Sequence, residues 1–175
     1  MSTDLLRRGH FIFESGHHGD TWLDLDVLIT DPRQARAEAD RLAAILRYHP
    51  ADAVVGPLDG GAFLAQWVAA ALGLRFGYTT RELVDGTPRY ALPTSIDLRG
   101  ARVVVVDDAI NLGSATEATV RALAEAGAHP VALASVFVCA PTGPAVGPRL
   151  GLPQVWLTEV HTRTWPAGSC PTCVG

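Results

Sequence analysis

From residue 31 onward the chain alternates between helical and extended hydrophobic patterns. Asp31-Pro32 is a helix start, an N-cap acid followed by proline at the first helical position. Ala35, Ala39, Leu42, Ala43 and Leu46 then recur at helical spacing. Asp52 to Gly56 (DAVVG) is a short apolar run and predicts a buried strand. A small-residue helix is expected from about Ala62 to Leu72, ended by Gly73, and another short strand over Arg75 to Thr79. Arg102 to Val106 (RVVVV) is the strongest strand, apolar on both faces, as in a central parallel strand covered by helices on both sides. Asp107-Asp108 and a glycine-containing turn follow. A helix is then expected from about Ala115 to Ala126, closed by Gly127, and a strand over Val131 to Val138. Past Cys139, the Pro/Gly-rich stretch 140–153 leads to a strand over Gln154 to Thr158 and an irregular tail. This order implies right-handed crossovers and an α/β fold with a mostly parallel central sheet flanked by helices.

Composition narrows the chemistry. The 175 residues fit one domain, 48% of them hydrophobic and 18% charged. A net charge of −4 argues against a nucleic-acid-binding face. No apolar run is long enough to span a bilayer, and Met1 to Arg8 lacks the apolar core of a secretory signal. Three cysteines form no disulfide framework, so a cytoplasmic setting is expected. All 14 basic residues are arginine. The absence of lysine fits a coding bias, and it excludes Schiff-base lysine chemistry and the lysine-dependent phosphate loop of nucleotide triphosphatases.

Ligands of open α/β sheets sit outside the carboxyl ends of the strands. Two such ends carry unusual residues. Gly56-Pro57-Leu58-Asp59-Gly60-Gly61 lets backbone N–H groups approach a ligand closely and precedes a helix whose positive end suits phosphate. At the second end, Asp107 and Asp108 close a buried strand, where two acids are costly unless ribose hydroxyls or a magnesium ion satisfy them. Behind them Asn111-Leu112-Gly113-Ser114-Ala115 leads into a helix N-terminus. One ligand with a diol flanked by phosphates would use both turns.

The apolar run, two acids and small-residue turn resemble the 5-phosphoribosyl 1-pyrophosphate signature of type I phosphoribosyltransferases. VVGPLDGG is similar to that family's pyrophosphate loop. Gly9-His10-Phe11 with the segment from Glu14 to Asp24 resembles the orotate branch, and Cys170-Pro171-Thr172-Cys173 resembles a tail of some bacterial members. The resemblance runs collinearly from about residue 9 to 173. It implies a single domain over residues 1–175 with a hood built from about 9–30 and 150–175. It further implies magnesium-dependent transfer of 5-phosphoribose to a nucleobase, orotate favoured, by a homodimer in pyrimidine nucleotide metabolism. By position, Asp107 and Asp108 would hold the ribose hydroxyls and the metal, and residues Asn111 to Ala115 the 5-phosphate. Leu58 to Gly61, with Arg81, Arg89 and His17, would serve the pyrophosphate region, Arg81 as a catalytic cation.

The chain also departs from that pattern. Asn111-Leu112 stands where the family keeps two threonines, and His17 where the orotate branch keeps a lysine. Glu82 to Gly100 is too short for a long lid. Cys139-Ala140 replaces the Asp-Arg pair whose arginine would meet the orotate carboxylate. Two alternatives therefore stay open: a protein that binds the same ligands without turnover, and a transferase with another acceptor base. The remaining candidates have plainer readings. Cys170 and Cys173 supply only two metal ligands, and a zinc site would need Cys139, a histidine or a second subunit, so a plain tail is expected. His17-His18 with Asp20, Asp24 and Asp26 reads as surface and ligand-loop residues. Trp22, Trp67, Trp156 and Trp165 read as packing groups.

Overall fold

Val103 to Val106 are all fully buried, and their alternation sorts the molecule into layers. Strand side chains point to opposite faces in turn. Val104 and Val106 join Leu42, Leu46, Leu64 and Val68 in one core. Val103 and Val105 join Leu98, Leu123, Leu133 and Val146 in the other. A computed structural model describes residues 5–13, 15–58 and 60–173 of the chain.

The elements follow in chain order. Strands β1 (Leu6–Ile12) and β2 (His17–Leu23) precede helices α1 (Asp26–Thr30) and α2 (Pro32–Leu46). Next come β3 (Ala53–Pro57), α3 (Gly61–Leu72), β4 (Arg75–Val84), β5 (Thr87–Ala91) and β6 (Arg102–Ile110). Then α4 (Ser114–Glu125), β7 (His129–Ala140), α5 (Val146–Leu150), β8 (Gln154–His161) and β9 (Thr164–Pro166) complete the set. Strand order in the larger sheet is β5-β4-β3-β6-β7-β8. Its pairs are parallel except β4 with β5. A separate antiparallel sheet, β1-β2-β9, draws strands from both ends of the chain.

Helix α2 begins as its cap predicts, with the Asp31 carboxylate accepting from the Arg33 N–H. Its five periodic residues are the five it buries. Several strands outrun their sequence signals. β6 continues through Asp107 and Asp108 to Ile110 because β7 pairs with it that far, Asp107 opposite Ser135 and Ile110 opposite Val138. β4 extends to Val84 and turns back as an antiparallel hairpin at Asp85-Gly86, both left-handed (φ 51° and 75°). An Asp-Gly pair is what such a two-residue turn demands. The segment that is too short for a long lid is therefore mostly hairpin. The Pro/Gly-rich stretch past Cys139 contains the short helix α5, and the tail expected to be irregular contributes β9.

The β3–α3 turn rests directly on β6. A Cβ on Gly61 would collide with the Val106 carbonyl and come within 2.6 Å of the Asp107 Cα, and one on Gly56 within 2.6 Å of the Gly61 carbonyl carbon. These neighbours are backbone of central strands and turns, which cannot rotate away. Gly61→Ala is expected to cost about 1–3 kcal/mol and to lower the melting temperature in a thermal unfolding scan. A variant that melts with the wild type would show that the turn has slack.

Candidate functional site

The carboxyl ends of β3 and β6 open into a cavity of about 400 Å³, within the range of small-ligand pockets. Its floor is Pro57 and Gly60 from the β3–α3 turn, Asp107 to Ala109 from β6, and Asn111 to Thr116 from the loop into α4. Its roof comes from the small sheet and its connections, including Ile12, Phe13, Ser15, Trp22, Asp24 and Asp26. Tyr90 of β5 and Cys139 of β7 complete the wall.

Each floor group is held by its local backbone. Gly60 faces the acid pair closely: a Cβ there would lie 2.7 Å from Asp108 Oδ2. Gly113 takes a left-handed conformation (φ 88°) that turns the chain into α4, and a Cβ on it would meet Val146 at 2.7 Å. No side chain caps α4, so its first N–H groups are left to face the cavity side of the loop. Arg149 pins the back of this loop, donating to the Leu112 carbonyl at 3.0 Å and pairing with Glu117. Asn111 Oδ1 is buried with no protein partner.

The acid pair is the electrostatic centre. Asp107 is 5% exposed; its carboxylate accepts from Thr116 Oγ1 and from the Asp108 N–H, both at 3.0 Å. Burial, and then the charge of Asp108, push its carboxyl well above the ordinary range. Asp108 accepts from the Ala109 N–H at 2.6 Å and is also raised, chiefly by burial. Burial and Asp108 together push the Cys139 thiol up to about 11, so it stays protonated at neutral pH. Asp24, paired with Arg7, and Asp26 bring two further acids to the wall. Among the described residues lining the cavity there is no arginine and no histidine.

The structure thus gathers Gly60, Asp107, Asp108, Asn111, Leu112, Gly113, Ser114 and Ala115 around one space. Leu58 and Gly61 flank it in the same turn but are not part of its lining, and Asp59 lies outside the described residues. Arg81 and Arg89 sit on the exposed hairpin, opposite Tyr90 and Glu82 respectively, and His17 lies on β2; none of the three lines the cavity. Trp22 does line it, 42% exposed, with Phe11 and Phe13 alongside at ring-centroid distances of 5.9 and 6.3 Å. The roof residues escaped the sequence reading because no periodicity marks β1 or β2. The segment from Glu14 to Asp24 pointed to them only as a resemblance. The Cys170/Cys173 tail, expected to be plain, folds back beside His10 and His18.

Comparison with known proteins agrees with this geometry. The chain is 26% identical over 170 residues to an orotate phosphoribosyltransferase of Caldanaerobacter subterraneus subsp. tengcongensis, covering 97% of this chain and 86% of the relative. The fold is similar to that of the Aeropyrum pernix orotate phosphoribosyltransferase, with a TM-score of 0.71 at 23% identity over 90% and 89% of the two chains. It is also similar to Mycobacterium tuberculosis H37Rv orotate phosphoribosyltransferase in complex with 5-phospho-α-D-ribosyl 1-diphosphate, with a TM-score of 0.64 at 20% identity over 79% and 80%. The phosphoribosyl transferase domain pattern matches residues 29–147, which hold both floor turns and the acid pair. The chain belongs to the phosphoribosyl transferase domain family.

Proposed function

We propose that this protein is an orotate-type phosphoribosyltransferase, which displaces pyrophosphate from 5-phosphoribosyl 1-pyrophosphate by a nucleobase nitrogen. The observation that carries the reading is the shared cavity, where a glycine turn, a buried acid with its half-buried neighbour and a helix-entry loop converge. In this reading Asn111 to Ala115 and the uncapped end of α4 bind the 5-phosphate through N–H groups and the Ser114 hydroxyl. Asp107 and Asp108 accept from the ribose hydroxyls and fix the sugar ring. Gly60 leaves backbone room for the pyrophosphate. The roof over Trp22 and Phe13 excludes water and offers apolar faces to the base. Catalysis is then positioning of the anomeric carbon, with stabilisation of the charge that builds on the leaving group.

A divalent cation fits the donor set. Asp107 and Asp108 are hard oxygen donors, and no positive side chain stands beside their raised carboxyls among the described residues of the cavity lining. When bound there, magnesium supplies the positive charge that lets a polyanion sit beside acids. Orotate as acceptor rests on the named relatives. One feature favours a second reading: Cys139, not an arginine, stands in the wall, so an acceptor without a carboxylate is the alternative. The deciding experiment gives the protein 5-phosphoribosyl 1-pyrophosphate, magnesium and a panel of bases, and follows pyrophosphate. Release with orotate supports the first reading. Release only with another base selects the second, and none with any base contradicts both.

Two variants probe the acid pair. Asp108→Asn is expected to lower kcat/KM by about 10²-fold or more, measured with the best base of the panel. Asp107→Asn keeps both hydrogen bonds through its amide but removes the buried charge. A carboxyl raised in the fold favours folding least when ionised, so its contribution falls as pH rises from the unfolded value near 3.8 toward the folded one. Without ligand, Asp107→Asn should therefore melt above the wild type, by a margin that widens as pH rises from about 4, while losing activity. A margin that shrinks with pH would contradict the electrostatics.

A further inference from the structure

His10, His18, Cys170 and Cys173 form a second cluster, apart from the cavity and used by no step above. Their sequence positions are far apart. His10 stands where the register of β1 against β2 shifts, between Arg8 and Phe11; such bulges re-aim a side chain. His18 is buried on β2. The two cysteines follow the short 3₁₀ turn Ala167–Ser169 that ends β9.

The ring nitrogens and sulfurs converge. His10 Nε2 lies 2.9 Å from His18 Nδ1, 3.4 Å from Cys170 Sγ and 3.5 Å from Cys173 Sγ. Cys173 Sγ lies 3.3 Å from His18 Nδ1. All four ligand atoms fall within 4.8 Å of one another. One ring nitrogen carries either a proton or a lone pair and cannot make three directional hydrogen bonds. Four donors aimed at one point instead describe a coordination shell. Zinc–nitrogen bonds of about 2.0–2.1 Å and zinc–sulfur bonds of about 2.3 Å give a tetrahedron with edges of about 3.3–3.8 Å. The four separations given above, 2.9–3.5 Å, lie at or somewhat below those edges.

We propose that His10, His18, Cys170 and Cys173 bind one zinc ion and so tie the C-terminal tail to both strands of the N-terminal hairpin. Two nitrogens and two sulfurs are soft donors that select zinc over magnesium. A full set of four leaves no open position, so the metal is structural. Its two thiols give up their protons to solvent on binding. The ion sits at the base of the β1–β2 turn, and that turn supplies Phe13 and Ser15 to the cavity roof. It holds the roof over the floor without touching the ligand.

The test is metal binding by the full chain, with zinc and cobalt as the added metals. After chelation and dialysis, cobalt titration should give thiolate-to-metal charge-transfer absorption and the visible bands of a tetrahedral site. These should saturate at one equivalent, vanish on addition of zinc and survive excess magnesium. Zinc analysis should find one ion per chain in the wild type and in Cys139→Ser, whose sulfur is outside the cluster. It should find none in the Cys170→Ser/Cys173→Ser protein, and strongly reduced zinc in His10→Ala. Zinc removal should lower the melting temperature. If the double variant does not fold, the cobalt spectrum of the wild type decides alone. The proposal is overturned by a wild type without thiolate charge transfer, by Cys170 and Cys173 found as a disulfide after purification under reducing conditions, or by full zinc retention in the double variant.

Discussion

Two adjacent carboxylates at the buried end of a central strand are the constraint around which this structure is organised. Asp107 is almost wholly enclosed, and Asp108 touches the space where the β3–α3 turn passes. Ionised carboxylates in such a place are unfavourable without compensation. Among the described residues, a threonine hydroxyl and two backbone N–H groups supply part of it. In the proposed function, a ligand that brings hydroxyl donors and a cation of its own would complete it. Gly60 and Gly61 are there because the turn must press against these acids with no side chain between, and Gly56 because the strand end packs on the Gly61 backbone.

The rest of the fold serves that arrangement. Four valines anchor β6 between two cores, so the acids leave a rigid strand in a fixed direction. The floor therefore belongs to the large sheet. The roof belongs to the small one, which is built from the two chain ends and needs its own fastening. Arg163 provides one, its backbone N–H and guanidinium donating to Asp20 at 3.1 and 2.9 Å and so joining the segment before β9 to β2. The histidine and cysteine cluster provides a second on the same sheet. Neither fastening enters the cavity, so roof stability and ligand chemistry are separable.

Much of the floor was legible in the sequence. Uninterrupted valines announce a strand covered on both faces, Asp31-Pro32 announces the start of α2, and paired acids after an apolar run announce a site. The Asp85-Gly86 turn was equally visible and would have revealed the β4–β5 hairpin. The roof was not legible, because β1 and β2 owe their pairing to each other and to β9 across some 140 residues, and local patterning carries no such information. His10 and Cys170 illustrate the same limit: each is unremarkable in its own segment, and only the tertiary pairing of chain ends brings them to 3.4 Å. The setting of the arginines was not legible for a related reason. Arg81 and Arg89 were expected near the pyrophosphate by position, yet the hairpin carries both along an exposed edge.

With acids in its wall and no arginine among the described lining residues, the cavity should accept a polyanion only together with a divalent cation. Calorimetric titration of the wild-type protein with 5-phosphoribosyl 1-pyrophosphate tests it, run once with magnesium and once with a chelator. The account predicts saturable one-site binding with magnesium and no measurable binding without it. Equal affinity under both conditions would contradict it.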